Sequence, residues 1–253
     1  MKILITGANG FLGKNMLSQL VTRKDDIKVV CFTRNNNISE LPGLLNDVDF
    51  VFHFAGVNRP RDPNEFIISN ISLTETLYNE TCNSAKSSGK KIRIIFTSSI
   101  QAKLNNSYGK SKLAAEEILL SVNLKVDVSS YIFRLPNVFG RWCKPNYNSM
   151  ISTFCYNIAR DLPIVVHKHD SPIIATYIDD VIRYFIQLID GAEVLFDDQG
   201  FAVGPQYFHS TVGEIAQIIR SFRDNENSLR SELHNPEMLF ALYQTYNSYL
   251  PNE

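Results

Sequence analysis

Ile3-Leu4-Ile5-Thr6-Gly7-Ala8-Asn9-Gly10-Phe11-Leu12-Gly13 stands at the start of the chain, and its reading decides the fold. A short apolar run of strand type leads straight into three glycines spaced three apart. Lys14 to Leu20 then read as helix. Strand, glycine turn and helix together form a pyrophosphate-binding turn. The first glycines permit a tight turn and close approach of backbone to phosphate, and the helix N-terminus offers N–H groups and a positive dipole end. Gly7, Gly10, Phe11, Leu12 and Gly13 are therefore expected to hold a dinucleotide. A turn that merely uses glycine has no need of this context.

Strands and helices alternate onward from this unit. The strands expected are Lys2–Thr6, Ile27–Thr33, Asp49–Phe54, Ile92–Thr97 and Val128–Leu135, with helices over Phe11–Arg23, Glu65–Ser87 and Tyr108–Ser121. Such alternation implies parallel βαβ units with right-handed crossovers. The fold class is α/β: a Rossmann-type doubly wound parallel sheet followed by a smaller C-terminal α+β lobe. Residues 1–135 read as the nucleotide-binding part and 136–253 mainly as a substrate lobe, with 173–189 a segment that could return to the sheet. In the second part, helices are expected over Ser149–Arg160, Asp179–Ile189 and Pro236–Tyr246, and a strand over Ile173–Tyr177. Thr211-Val212-Gly213-Glu214 has capping-box form and starts a helix through Phe222, followed by the polar stretch Arg223–Ser228.

The 253 residues suffice to bury a full core. A net charge of −1 disfavours nucleic acid as a partner. The four cysteines, Cys31, Cys82, Cys143 and Cys155, have no metal-type spacing and read as reduced thiols of a cytoplasmic protein. No apolar run approaches the length of a membrane span, and Met1–Thr6 reaches glycine too soon to form a signal sequence. His167-Lys168-His169 is the one close histidine pair and has no third ligand nearby in sequence, so no metal is expected.

Ser98-Ser99 and Tyr108-Gly109-Lys110-Ser111-Lys112 carry the chemistry. Tyrosine and lysine at i and i+4 share one helix face. An ammonium beneath the phenol is expected to lower its pKa and make it usable near neutrality. A serine hydroxyl delivered from a strand end can bond the same substrate oxygen. Ser99, Tyr108 and Lys112 are the candidate catalytic set.

These residues, with His53-Phe54-Ala55-Gly56, Asn70–Thr74, Arg134–Gly140 and Tyr177–Val181, resemble the extended short-chain dehydrogenase/reductases that act on nucleotide sugars. A narrower resemblance lies in Ala55–Pro60, Ser98–Ala102 and Gly140–Ser149, which look like bacterial capsule and O-antigen enzymes making the UDP-N-acetyl-L-fucosamine precursor. The resemblance implies reduction of the C4 ketone of a UDP-linked 4-keto-6-deoxy amino sugar, in a homodimer. The preceding 3-epimerisation is implied to belong to a cupin domain or partner, whose sequence this chain does not contain. Phe54, Ala55, Gly56 and Pro136 are implied at the cofactor, beside Tyr108 and Lys112. Asn58, Arg59, Ser99, Asn137, Arg141, Trp142, Lys144 and Asn148 are implied at the substrate. One departure matters: the arginine that relatives often carry just before Tyr177 is replaced by Ile173-Ile174-Ala175-Thr176. Arg141 and Lys144 remain as cations for the pyrophosphate.

The residues also sort the chemistry. A 4,6-dehydratase needs an acidic pair beside the serine, and Ile100-Gln101 cannot serve. An NAD site places an acid at the end of the second strand, whereas Val29–Thr33 ends on Arg34, whose fixed charge suits a 2′-phosphate. NADP(H) is the cofactor expected. An NAD-dependent 4-epimerase and a non-catalytic NAD(P)-sensing protein are the alternatives.

Overall fold

The computed structural model describes residues 1–23, 26–121, 127–224 and 235–251. Two compact units emerge, Met1–Leu135 with Tyr184–Gly204, and Pro136–Arg183 with Pro205–Glu253. Residues 225–228 of the polar stretch lie outside the described residues.

The first unit is built on five strands, β1 (Lys2–Thr6), β2 (Lys28–Phe32), β3 (Phe50–His53), β4 (Ile92–Ser99) and β5 (Val128–Leu135). All neighbours pair in parallel, in the order β2-β1-β3-β4-β5. Strands covered on both faces read as continuous apolar runs, and Ile3, Leu4 and Ile5 of β1 are fully buried. One face packs Leu4, Val51, Ile94 and Ile132 with Leu41 and Leu45 of α2 (Leu41–Leu45), Leu77 and Cys82 of α3 (Leu73–Ser88), and Ala115 and Leu119 of α4 (Ser107–Leu120). On the other face Phe185 meets the rings of Phe52, Phe54 and Phe133. Thus Tyr184–Gly204 joins the first unit, although it lies in the C-terminal half of the sequence.

β2 lies on one side of β1 and β3 on the other. This reversal opens a crevice beyond the C-terminal ends of β1 and β3, where doubly wound sheets receive ligands. Helix α1 (Phe11–Val21) begins at that point. The expected Glu65–Ser87 helix is interrupted: a short turn, Asn64–Phe66, passes through a π-helical stretch, Ile67–Ser72, before α3. Such single-turn widenings collect at functional sites.

In the second unit β6 (Asn137–Phe139) pairs in parallel with β7 (Pro172–Tyr177), and β7 pairs antiparallel with β8 (Phe208–Thr211). The strand expected at 173–177 therefore belongs to this second sheet. Helices α5 (Met150–Ile158), α7 (Val212–Arg223) and α8 (Pro236–Asn247) pack on one another. Side chains of Ser149, Thr211 and Asn235 cap their first turns. Helix α6 (Ile178–Ile189) follows β7 directly.

Candidate active site

The glycine turn is shaped by close backbone approach. Gly7 has a φ of 68°, and a Cβ there would lie 2.7 Å from the Ala55 nitrogen and 2.9 Å from the Phe54 carbonyl carbon. A Cβ at Gly13 would fall 2.6 Å from Ala8 Cα. Both clashes are with backbone, so neither can be relieved by turning a side chain. Gly10 occupies the N-cap of α1 without a side-chain cap, which leaves the first-turn N–H groups, those of Phe11 and Leu12 among them, facing outward for an anion. The Gly7 nitrogen donates to Phe32 at the end of β2 (2.9 Å). Arg34 follows, exposed on a loop. That loop is organised by Asn36 Oδ1, which accepts from the Thr33 nitrogen and hydroxyl at 2.9 and 3.0 Å. Its one carboxylate, Glu40, is engaged by Asn36 Nδ2 (3.0 Å) and the Asn37 nitrogen (2.6 Å), which hold its pKa below the usual range. The cradle fits a dinucleotide pyrophosphate, and no acid stands at the β2 end to take a ribose diol.

Ser99 closes β4 and caps the turn Ile100–Lys103, its Oγ accepting from the Gln101 nitrogen at 3.2 Å. Asn106 caps α4 by accepting from the Gly109 nitrogen (2.7 Å), which puts Tyr108 in the first turn and Lys112 one turn on. The two elements meet at Gly109, where an added Cβ would collide with the carbonyl oxygens of Gln101 and Leu104, the latter at 2.6 Å. Ser99 acts on the Tyr108 hydroxyl, and the Tyr108 ring lies 6.3 Å from that of Phe66. Burial raises its pKa above the ordinary tyrosine value, and Ser99 offsets part of that rise. The expected lowering by Lys112 is therefore corrected: desolvation dominates, and the phenol is held protonated. Lys112 is itself buried. Its Nζ lies 4.3 Å from the Phe96 ring centroid, and a Cβ built on Gly56 would come within 3.9 Å of it. Burial brings its pKa down to about 8 against an upward pull from Glu116. Near neutrality this is a charged lysine beside a neutral phenol, the pairing a proton donor needs.

Two polar networks that the sequence reading missed support this set. His53 is fully buried, with Nδ1 2.7 Å from Thr6 Oγ1 and Nε2 2.8 Å from Thr74 Oγ1. Thr74 gives its own proton to the Asn70 carbonyl (2.7 Å), so it must accept from Nε2–H. Thr6 accepts from the Ala55 nitrogen (3.2 Å) and donates to Nδ1. The ring is thus a single neutral tautomer, and burial drives its pKa down to about 3. Asn70, on the π-helical stretch, bonds both backbone groups of Val57 (2.7 and 2.9 Å) and Ser111 Oγ (2.9 Å). It ties the Phe54–Val57 loop, and Asn58 after it, to the helix carrying Tyr108 and Lys112. In the second network Glu116, also on α4, accepts from Ser98 and Arg134. The signal for it was a charged arginine inside the apolar β5 run, which needs a buried partner.

Arg59 is exposed and Asn58 half-buried in the first unit. The remaining expected substrate residues lie on the second unit. Asn137, Trp142, Lys144 and Asn148 are exposed, and Pro136, expected at the cofactor, is buried. Arg141 faces Asp179 (3.8 Å), and its guanidinium sits 4.6 Å from the Trp142 ring. Trp142 has a φ of 65°, a strained conformation for a bulky residue. The Tyr249 hydroxyl donates to the Cys143 carbonyl and fixes this loop from below.

The chain is similar to known proteins. A UDP-2-acetamido-2,6-beta-L-arabino-hexul-4-ose reductase of Pseudomonas aeruginosa is 46% identical over all 253 residues, and the chain spans 66% of that protein. The capsular polysaccharide assembling protein CapF of Staphylococcus aureus superposes with a TM-score of 0.81 at 36% identity, covering 99% of this chain and 65% of its own. A Bacillus cereus UDP-glucuronic acid 4-epimerase in complex with NAD shares the fold, with a TM-score of 0.77 at 17% identity, covering 98% of each chain. The chain thus spans about two thirds of the length of the first two relatives. The sequence pattern of the NAD dependent epimerase/dehydratase family matches residues 3–204, from β1 to the last segment of the first unit, and the chain belongs to that family.

Proposed function

We propose that the chain reduces the C4 ketone of a UDP-2-acetamido-2,6-dideoxy-4-hexulose with NADPH, in the supply of sugars for capsule or O-antigen. The observation that carries this reading is Tyr108, a buried phenol held protonated within reach of Ser99. NADPH, when bound, supplies the hydride. Gly7, Gly10 and Gly13 would receive its pyrophosphate, and Arg34 its 2′-phosphate. Tyr108 gives its proton to the C4 oxygen, and Ser99 holds the same oxygen. Lys112 would hold the nicotinamide ribose and keep a positive charge there. Ile100 and Gln101 stand where elimination would need acids, which disfavours dehydration. Asn137, Arg141, Trp142, Lys144 and Asn148 of the second unit would take the UDP part of the substrate. The kinship with the Pseudomonas reductase supports the substrate class. The same reading makes the protein a cytoplasmic homodimer; among the described residues no helix is long and apolar enough to cross a membrane. The test mixes purified protein and the 4-keto UDP-sugar with NADPH or NADH. Rapid NADPH consumption with a reduced sugar as product is expected. Interconversion of C4 epimers without net cofactor consumption would replace this reading with the epimerase.

A further inference from the structure

Glu116 is 1% exposed, one turn beyond Lys112 on α4. Its carboxylate receives three bonds. Ser98 Oγ donates at 2.5 Å, Arg134 Nε at 2.9 Å and Arg134 Nη2 at 2.6 Å. The Arg134 guanidinium carbon lies 3.6 Å from the Phe201 ring centroid, and the arginine side chain stays 14% exposed while the Glu116 side chain is 1% exposed. The clamp joins three pieces of the candidate site: the residue before Ser99, the helix of Tyr108 and Lys112, and the end of β5. A buried ion pair contributes little net stability compared with apolar side chains of the same volume. Its presence at this position calls for another reason.

We propose that Glu116, held by Arg134 and Ser98, is a positioning residue that keeps Lys112 in its charged form for the reaction. This rests on the reading of Lys112 as a member of the catalytic set. The groups around Lys112 leave few other sources of negative potential. β3 presents His53, neutral and fully buried. β4 presents the Phe96 ring. The loop after β3 presents the Gly56 backbone, and Asn70 the uncharged amide beneath it. On its own helix Lys112 has the neutral Tyr108 on one side and Glu116 on the other. The Arg134 charge lies beyond the carboxylate. Among the described residues Glu116 is the one acid acting on a lysine whose burial otherwise favours the neutral amine.

Two substitutions, the isosteric Glu116→Gln and the shortening Arg134→Gln, separate this role from a structural one, because they act with opposite sign. Glu116→Gln removes the negative charge and leaves Arg134, so the Lys112 midpoint should fall by about one pH unit. Arg134→Gln leaves the carboxylate uncompensated, so the midpoint should rise. Glu116→Asp keeps the charge and should hold the midpoint near its original value. The midpoint is read from the Lys112 Cε resonance in protein carrying 13C-labelled lysine, assigned against Lys112→Met, and folding is followed by thermal melting. This readout needs no substrate and stands even if the proposed reaction is wrong. The alkaline limb of kcat/KM for NADPH-dependent reduction should move with it. A Lys112 midpoint unmoved in Glu116→Gln, or shifted the same way in both glutamine variants, overturns the proposal. If one glutamine variant fails to fold, the sign of the other decides alone. If both fail, a Glu116→Asp midpoint as low as that of an uncharged neighbour would reject it.

Discussion

Replacing Gly109 with alanine adds one methyl group where two backbone carbonyls already converge. The new Cβ would sit 2.6 Å from the Leu104 oxygen and closer still to that of Gln101. An ordinary carbon–oxygen contact needs over ~3.2 Å, so helix α4 and the Ile100–Lys103 turn must separate by roughly 1 Å. That turn starts at Ser99, and α4 starts one residue before Tyr108. The separation therefore falls between Ser99 and Tyr108. A displacement of about 1 Å costs on the order of 100-fold in rate, or ~2.7 kcal/mol of barrier. Overpacking should also cost ~1–3 kcal/mol of stability, a loss a chain of this size tolerates while remaining folded. The pyrophosphate-binding part of the cofactor cradle belongs to β1, β3 and α1 and should be untouched, so most of the cofactor's binding should survive. Steady-state NADPH oxidation, with cofactor binding measured by titration calorimetry, gives the two readouts. We expect kcat to fall about 100-fold with the cofactor Kd within threefold of the parent. A Gly109→Ala protein with parental kcat and parental melting temperature would refute the packing argument.

Three further outcomes follow from the same structure. Tyr108→Phe deletes the proton donor and almost no volume, so kcat should drop by well over tenfold while NADPH still binds; a variant retaining more than about a tenth of kcat, a barrier change under ~1.4 kcal/mol, removes Tyr108 from the chemistry. Arg34→Ala should raise KM for NADPH about tenfold or more, a charge-assisted contact being worth ~1.5–3 kcal/mol, and leave KM for NADH little changed; equal effects on both cofactors would take Arg34 out of the site. His53 titrates at about 3 in the folded protein against 6.5 for the free side chain. The unfolded chain binds more protons between these values, so stability is lost as pH falls below 6.5, by about 2 kcal/mol between roughly pH 7 and 5. Denaturant melts should show that loss largely absent in His53→Gln, and an identical pH dependence in the variant would contradict the assignment.

The first half of the fold was legible because its signals agree with one another. In β1 a buried apolar run meets a glycine turn that only backbone proximity explains, and in α4 an Asn106 cap precedes a helix of strong formers. The short strands β6 and β8, with three and four residues, carry too little alternation to announce themselves. Helix α2 contains Pro42 and Gly43 and reads as a loop until Leu41 and Leu45 find the core. The π-helical stretch leaves no mark in the apolar period, because one extra residue in a turn shifts the pattern without erasing it. The placing of Tyr108 and Lys112 one turn apart was readable from spacing, and the glycine turn gave that spacing its weight, but their protonation was not readable. Spacing shows the ammonium near the phenol, whereas the dominant influence, desolvation, depends on Phe66, Phe96 and the loop after β3. Glu116 and Arg134 escaped for a related reason. They stand 18 residues apart on a helix and a strand, and only the parallel pairing of β4 with β5 brings Ser98 level with Arg134.

Net hydride delivery to C4, with Tyr108 as the proton donor, can be followed by isotope transfer. NADPH carrying deuterium at C4 of the nicotinamide, prepared separately in each stereochemical form, is incubated with the UDP-linked 4-keto-6-deoxy amino sugar, and the product is examined by NMR. The account predicts one deuterium at sugar C4 from one of the two forms, stoichiometric oxidation of NADPH, and loss of the transfer in Tyr108→Phe. A sugar product without deuterium at C4, or a 4-epimer formed with NADPH unconsumed, would contradict it.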